Sequence, residues 1–580
     1  MTDYVVDLAA RHAHLYAVEG VFAVAPGASE LSLKLPVWTP GSYLIREYER
    51  HIQELVATST DGAALAVAKT DKATWRVQTA GHASVKVRWR VYAWDLTVRA
   101  AHLDGSHGFW NGACLFLYAE HLRHQPHRVR VKAPETWTIT TALELVSDGV
   151  YLAADHDELV DSPFEVGSHE LVEFQARGKP HRLAIWGQVS TPRQELVGDI
   201  VKIIDAASEI FDGEVPYAHY TFLLLSSPGQ YGGLEHARSC TLLTSPFTFQ
   251  PRAKYEEFLE LVSHEFFHLW NVKRIRPSVL GPFDYQQEAY TRSLWVMEGI
   301  TSYYDRYLLV RTGLQPPQRY LEKLAEELAK IRALPGRFRQ SLEESSFDAW
   351  IKLYRPDENT GNSTISYYLK GGVVALLLDL HIRARTEGAR SLDDVMRALY
   401  RRARTTKTGF ADDEVQRLLE EASGIGLQEF FDVLVRGRGE IDPTPFLRTV
   451  GLAARPEEAS DGGPRGFLGA TLKEAGDAVR IASVLEDGPA TSAGLYAGDD
   501  IIALDGFRVS LSTFKERLGL LRPGEVAKLT LFRRDELRTL NVPLGPPPVE
   551  SWEIVPVTDS TEAERAAYQR WLGAAWTPPE

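Results

Sequence analysis

The spacing of the apolar residues changes near residue 190, and this change constrains what the chain can fold into. Before it, apolar and charged residues alternate, as in the run from Val85 to Val91, which is the pattern of a strand with one buried face. After it, apolar residues recur at steps of three and four, which is the spacing of one face of a helix. This spacing predicts helices over the segments 251–272, 289–311, 317–333, 366–386, 391–404, 411–422 and 427–436.

The same change of pattern divides the chain into domains. We predict a multidomain α+β protein with a β-rich N-terminal domain over residues 1–190, an antiparallel sandwich or saddle of sheets, and a mostly helical domain over 191–450. Residues 455–465 are polar and rich in Gly and Pro, which predicts a linker. A small domain with short strands follows over 466–545, and the tail, 546–580, is predicted to be partly extended because it begins with three prolines.

Charge and composition argue against two classes of partner. The 580 residues include 64 Lys and Arg against 78 Asp and Glu, a net charge of −14, which disfavours nucleic acid and anionic membranes. The most apolar run, Val373 to Leu380, is too short to span a bilayer. There are only two cysteines and no signal-peptide pattern, so we expect a cytoplasmic protein. The basic cluster Lys273-Arg274-Ile275-Arg276 is interpreted as a solvated surface.

The pattern His264-Glu265-Phe266-Phe267-His268 lies in a predicted helix. Residues four apart lie on one face of a helix, so the two imidazoles can reach a single tetrahedral Zn²⁺. Glu265, next to the first histidine, would then lie beside the metal and take a proton from its bound water. The alternative is a pair of histidines on a buried helix with no metal.

Zinc needs a third protein ligand, and Glu298 is the strongest candidate. It lies in an apolar helical segment, where burial of a carboxylate is costly unless the carboxylate is paired or bound to metal. Asp284 and Glu288 lie in a loop-like segment and are weaker candidates. We therefore predict one Zn²⁺ per chain, bound by His264, His268 and Glu298.

These motifs resemble those of the glycyl aminopeptidase family, which are PDZ-bearing zinc peptidases of the gluzincin group. The resemblance lies in HEFFH, in WVMEGITSYY around Glu298, in PVWTPGSY from Pro36 and in YGGLEH from Tyr231, and it extends from about residue 3 to 545. It implies a thermolysin-like catalytic domain over 191–450 and an aminopeptidase that acts on peptides. It also implies a preference for N-terminal glycine, then alanine.

The resemblance also implies residues that contact the substrate. Gly232 and Gly233 allow the backbone to approach a ligand closely, and the Glu235 carboxylate would pair with the α-ammonium group of a peptide. In related enzymes an asparagine stands where this chain has His236.

A tyrosine is expected to stabilise the oxyanion. The segment Tyr367-Tyr368-Leu369-Lys370-Gly371 resembles the one that supplies this tyrosine in related enzymes, and the alignment selects Tyr368. Tyr367 remains an alternative, because neighbours on a helix point about 100° apart. Asp305, seven residues after Glu298, is interpreted either as a partner of a zinc-binding histidine or as part of a surface salt bridge.

The small domain resembles a PDZ domain, with Gly466-Phe467-Leu468-Gly469 as the carboxylate-binding loop. A PDZ domain binds a peptide C-terminus by adding it to a sheet edge, and the alternative is a PDZ fold that only packs against the catalytic domain. Two other functions stay open for the whole chain. One is an endopeptidase that uses the same zinc site, and the other is a peptide-binding adaptor with a vestigial catalytic half.

Overall fold

A computed structural model describes residues 1–457, 465–548 and 551–578, and its contacts divide the chain into two compact units. The first unit comprises Met1–Thr291, Tyr304–Gln315 and Asp393–Val415, and the second comprises Arg292–Tyr303, Pro316–Leu392 and Gln416–Glu580. The prediction of a multidomain α+β chain is confirmed, because strands dominate the N-terminal region and helices the middle. Most of the predicted linker, residues 458–464, lies outside the described residues.

The N-terminal region of the first unit is built on an eight-stranded sheet. Its strands, in spatial order, are Glu144–Ser147, Val150–Ala153, His127–Lys132, Thr2–Asp7, Leu15–Ala23, Ser84–Tyr92, Ile52–Ser59 and Ala64–Leu65. The pairing is antiparallel except between Thr2–Asp7 and His127–Lys132. As the alternation predicted, Val85, Val87, Trp89 and Val91 all face the buried side.

Two smaller sheets complete this region. One contains Glu30–Lys34, Thr74–Gln78 and Val67–Lys69, and the other contains Thr138–Thr141, Phe164–Gly167, His107–Trp110 and Ala101–Leu103. Two short helices, Gly112–Leu115 and His156–Val160, contact each other beside the sheets. Buried residues from these sheets and from the first helix form one hydrophobic core.

A five-stranded sheet follows and supports the site described below. Its order is Glu170–Ala176, Lys179–Gly187, Tyr220–Ser226, Ser239–Thr244 and Gly232–Glu235, with the three central strands parallel and the two outer ones antiparallel. All seven residues of Tyr220–Ser226 are buried, which is typical of a strand covered on both faces. The crossover helix Arg193–Ile210 packs on the helix Arg252–Phe267, where the Tyr255 hydroxyl donates to Asp199 at 3.2 Å.

Each segment predicted to be helical contains a helix, but several bounds differ, and Leu342–Phe347, Thr360–Ser363 and Thr444–Arg448 were not predicted. The helices of the middle region are Arg252–Phe267, Ile300–Arg311, Pro317–Ala333, Leu342–Phe347, Thr360–Ser363, Leu369–Arg385, Leu392–Thr406, Val415–Ser423, Gln428–Phe430 and Thr444–Arg448. Two π-helical turns, Trp295–Gly299 and Phe431–Val435, interrupt the regular pattern. In the second unit, Gly299 lies so close to Gly371 that an added Cβ would be 2.6 Å from the Gly371 Cα, so both positions require glycine.

The small C-terminal domain of the second unit forms a six-stranded sheet around its own core. Its strands are Ala470–Ala475, Ala478–Val484, Asp500–Leu504, Val526–Arg533 and Glu536–Pro543, with Phe507–Arg508 paired to the third, and its helices are Pro489–Ser492 and Leu511–Leu518.

The tail is more ordered than the three prolines suggest. The strand Trp552–Pro556 pairs with Leu452–Pro456, and the helix Glu562–Leu572 follows it. Within the described residues, no helix is both long enough and apolar enough to cross a membrane.

Candidate metal centre and substrate site

The two histidines of the HEFFH pattern lie at the end of one helix, Arg252–Phe267, which we call the histidine helix. His264 is in its last turn, and His268 is the cap residue that keeps a helical backbone. Their ring centroids are 4.7 Å apart and the ring planes are almost perpendicular, at 84°. The spacing of four residues therefore places both imidazoles side by side, as the sequence predicted.

Each imidazole is oriented by a hydrogen bond at Nδ1. The Nδ1 of His264 lies 3.1 Å from an Asp305 carboxylate oxygen, and the Nδ1 of His268 lies 2.7 Å from the Asn271 carbonyl oxygen. Both oxygens are acceptors, so Nδ1 donates in each ring and the lone pair is on Nε2. This is the tautomer in which two histidines bind a metal through Nε2.

The third predicted ligand, Glu298, lies in the π turn Trp295–Gly299 and is only 2 % exposed. The turn continues directly into the helix Ile300–Arg311, which carries Asp305. His264, His268 and Glu298 each offer one ligand atom, and these atoms all lie within 4.8 Å of one another. Two neutral imidazoles with oriented rings and one buried carboxylate are a donor set that fits Zn²⁺.

Glu265, the predicted base, lies against the strand Gly232–Glu235, which we call the anchor strand. The backbone of Gly233 is so close to the Glu265 carboxylate that an added Cβ would overlap it. Gly232 has more room, since the nearest atom to an added Cβ would be a Val98 methyl at 3.8 Å. Of the two glycines singled out in the sequence, only Gly233 is therefore required by a close approach to this carboxylate.

Glu235 ends the anchor strand and is 4 % exposed. Among the described residues, its Oε1 atom has no hydrogen-bond partner. Gly41, from the segment PVWTPGSY, packs on this carboxylate, since an added Cβ would be 2.5 Å from Oε2. A buried carboxylate oxygen without a donor is costly, and a cationic ligand would remove that cost.

A buried network that the sequence did not predict holds the chain just after Glu235. Asp161 accepts hydrogen bonds from the Lys273 ammonium at 2.6 Å, from His236 Nδ1 at 3.1 Å and from the backbone N–H of Ala237 at 2.7 Å. Burial of Asp161 would raise its pKa, but Lys273 and His236 outweigh burial and lower the pKa. The interpretation of Lys273 as solvated is therefore wrong, because its side chain is 7 % exposed and is neutralised by Asp161.

The predicted oxyanion donor, Tyr368, caps the helix Leu369–Arg385 in the second unit. Its hydroxyl lies 3.1 Å from that of Tyr354, and its ring stacks on Tyr367 with the centroids 4.8 Å apart. Burial, followed by the charge of Glu298, raises the pKa of the Tyr368 hydroxyl well above its ordinary value, so the group stays protonated and can donate. Tyr367 is completely buried whereas Tyr368 is partly exposed, which favours Tyr368.

The predicted carboxylate-binding loop, Gly466 to Gly469, uses two of its N–H groups internally. Gly466 donates to the Leu521 carbonyl at 2.7 Å and Phe467 to the Gly545 carbonyl at 2.9 Å. In the part of the chain that the structure describes, the N–H groups of Leu468 and Gly469 have no such backbone partner. The loop therefore has two backbone donors that the described fold does not use.

The chain matches three family models along its length. They are the peptidase M61 N-terminal domain over residues 3–168, the M61 glycyl aminopeptidase over 257–374 and the PDZ domain over 466–544. A crystal structure from Idiomarina loihiensis, described as an aminopeptidase N family protein, is 33% identical, with a TM-score of 0.92 over 99% of this chain and 100% of that chain. These matches define a zinc metallopeptidase that has a PDZ domain. The chain belongs to the M61 glycyl aminopeptidase family.

Other likenesses are partial. A probable periplasmic serine endoprotease of the DegP-like type from Pseudomonas fulva is 32% identical over 124 residues, which are 19% of this chain and 26% of that protein. This likeness is confined to the PDZ domain, and the chain spans about a quarter of the length of that relative. An M1 zinc metallopeptidase from Deinococcus radiodurans is 15% identical, with a TM-score of 0.44 over 76% of this chain and 94% of that one.

Proposed function

We propose that this zinc aminopeptidase removes N-terminal glycine, and next alanine, from peptides, with one zinc ion in its catalytic centre. The observation that supports the proposal is the anchor strand, which contacts the Glu265 carboxylate at Gly233 and ends in the buried Glu235. Residues two apart in a strand face the same side and are separated by roughly 7 Å. An ammonium group at Glu235 and a scissile carbonyl beside Glu265 would then belong to the same amino acid.

This arrangement explains why only a terminal residue would be removed. An internal peptide segment has no ammonium group, so its binding would leave the Glu235 carboxylate buried without a partner. The Asp161 network keeps the chain after Glu235 in place, which fixes the distance from the anchor to Glu265.

The preference for small residues is supported by the space beside Glu235. The cavity there measures about 20 Å³, and its lining includes Trp38, Tyr43 and Phe283. That is about the room needed for one water-sized group. A substrate side chain that enters this space would have to be small, as in glycine or alanine.

The side chains of the site take separate roles in hydrolysis. A Zn²⁺ ion held by His264, His268 and Glu298 would lower the pKa of its bound water and polarise the substrate carbonyl. Glu265 accepts a proton from the attacking water and passes it to the leaving amine, as a general base and then a general acid. The Tyr368 hydroxyl donates to the oxygen that becomes negative, and Glu235 holds the ammonium group.

The decisive experiment compares Gly-, Ala- and Leu-amide reporters, with and without a chelator, and includes N-acetyl-Gly-amide as the blocked control. We expect cleavage of Gly-amide, then Ala-amide, loss of activity on chelation, and no cleavage of the acetylated substrate. Cleavage of the acetylated substrate at an equal rate would instead indicate an endopeptidase. A preference for Leu-amide would contradict the proposed pocket.

Two further properties complete the proposal. The PDZ domain would bind a peptide C-terminus through the N–H groups of Leu468 and Gly469, next to the strand Ala470–Ala475. The protein would work in the cytoplasm, a proposal supported by its two buried free cysteines, Cys114 and Cys240.

A further inference from the structure

A second group of potential metal ligands lies in the N-terminal region, on the hairpin of the strands Ala101–Leu103 and His107–Trp110, which we call the 101–110 hairpin. His102 is on the first strand, Asp104 is in the turn and His107 begins the second strand. Each of the three offers one ligand atom, and these atoms all lie within 4.8 Å of one another. None of them belongs to the catalytic centre described above.

His107 is completely buried, and its environment determines which nitrogen carries the proton. Its Nδ1 lies 3.0 Å from an oxygen of the buried Glu165 carboxylate, which accepts, so Nδ1 donates and the lone pair is on Nε2. Among the described residues, this Nε2 atom is buried and has no hydrogen-bond partner. The ring cannot easily turn to find one, because it is stacked on Trp186 with the centroids 3.6 Å apart.

The same arrangement occurs at the catalytic centre, where the Asp305 carboxylate accepts from His264 Nδ1. A carboxylate at Nδ1 fixes the tautomer and the ring orientation and makes Nε2 a better metal ligand. Glu165 therefore orients the His107 ring in the same way as Asp305 orients the His264 ring. A buried imidazole nitrogen that lacks a partner is explained if that nitrogen binds an ion.

The other two residues complete the donor set. His102 is 6 % exposed, and its Nε2 atom lies 3.4 Å from the Oδ2 atom of Asp104. Among the described residues, its Nδ1 atom is buried and has no hydrogen-bond partner. The hydroxyl and the N–H of Ser106 and the N–H of His107 all donate to the Oδ1 atom of Asp104, which holds the carboxylate in place. Its side chain is 28% exposed, which gives an ion a route from solvent.

We propose that His102, Asp104 and His107 bind a second divalent ion of the first transition series, such as Zn²⁺, in addition to the catalytic zinc. Two imidazoles and one carboxylate favour such an ion over Mg²⁺ or Ca²⁺, which prefer oxygen ligands. The ion would join the two strands of the 101–110 hairpin across its turn. The loop before this hairpin contains Val98, and a Cβ added at Gly232 of the anchor strand would lie 3.8 Å from a Val98 methyl group, so the ion would stabilise a segment beside the substrate site.

The experiment removes the catalytic ligands first, so that the second site is measured alone. Full-length His264→Gln/His268→Gln protein is freed of metal with a chelator and titrated with Co²⁺ and Zn²⁺. Bound metal is counted by mass spectrometry, and Co²⁺ coordination is followed by visible absorption. We expect this variant to bind one equivalent of metal and the wild-type protein to bind two.

Substitutions in the same background then locate the ion. Asp104→Asn, in the partly exposed turn, should weaken Co²⁺ binding at least tenfold, and His107→Gln should abolish it. His124→Gln, which changes an exposed histidine of the same region, is the matched control and should bind as the parent does. Circular dichroism checks that each variant is folded, and Asp104→Asn decides the question if His107→Gln does not fold.

The outcomes separate this proposal from the catalytic one. If the His264→Gln/His268→Gln protein is folded and binds no metal, the second site does not exist, whatever the catalytic centre does. Equal binding by the Asp104→Asn and His124→Gln variants would likewise overturn it, since the ion would then lie elsewhere. If the wild-type protein and the His264→Gln/His268→Gln protein each bind one equivalent of metal, the result supports the second site and contradicts the catalytic zinc site.

Discussion

At the scale of single residues, Glu265 has a proposed role in the reaction itself and not in the structure of the site. Glu265→Gln keeps the shape of the side chain but removes the base, while both histidines and Glu298 stay in place. We expect the metal content to be unchanged and kcat for a Gly-amide reporter to fall by about 10² to 10⁴, the usual contribution of general acid–base catalysis. Full activity in a metal-loaded variant would show that another group takes the proton.

Gly233 has a structural role in the site, because its lack of a side chain lets the anchor strand approach the Glu265 carboxylate. In Gly233→Ala the new methyl group overlaps that carboxylate, so either the strand or Glu265 must move. We expect kcat/KM to fall at least about 100-fold, since a displacement of about 1 Å at a catalytic group has that effect. Gly232→Ala is the matched control, and its loss should be at least tenfold smaller, because the nearest atom lies at 3.8 Å. Equal losses would mean that the close approach is unimportant.

At the scale of elements, Asp305 links the histidine helix to the helix Ile300–Arg311. Asp305→Ala removes the acceptor of the His264 Nδ1 proton, so the ring is free to turn. We expect zinc affinity to fall about 10- to 100-fold, measured by competition with a chromogenic chelator. Asp305→Asn keeps an acceptor oxygen, so its zinc affinity should lie between those of the wild-type protein and Asp305→Ala. Unchanged affinity in Asp305→Ala would assign Asp305 to stability alone.

The same elements show how far the sequence alone could lead. Helical periodicity was enough to predict that His264 and His268 share a face, and the seven-residue step from Glu298 to Asp305 indicated a second helix with both groups on one side. The predicted helix 289–311 begins too early, because helical backbone starts only at Leu294, and the π turn Trp295–Gly299 that follows has no such local signal in the sequence.

The sequence does not predict the contacts between segments that are far apart in the chain. Asp161 lies 75 residues before His236 and 112 before Lys273, and no local pattern joins them. The tail helix is a different kind of omission. Thr561 and Glu564 form a capping box that is visible in the sequence, whereas the three prolines before it favour an extended segment.

At the scale of the whole molecule, the tail is part of the second compact unit and not an appendage. Its strand Trp552–Pro556 pairs with Leu452–Pro456, and Trp571 of the following helix lies edge-on to Tyr320 with the ring centroids 5.9 Å apart. Trp571 is 2% exposed, so its removal leaves a cavity that the surrounding residues fill only in part.

We therefore expect Trp571→Ala to destabilise the second unit by about 3 to 5 kcal/mol. Gln569→Ala, on the exposed side of the same helix, should change stability by less than about 0.5 kcal/mol. Urea unfolding, followed by circular dichroism on both variants and on the wild-type protein, measures the difference. If the two variants unfold at the same urea concentration, the Trp571 side chain contributes nothing to the stability of the unit.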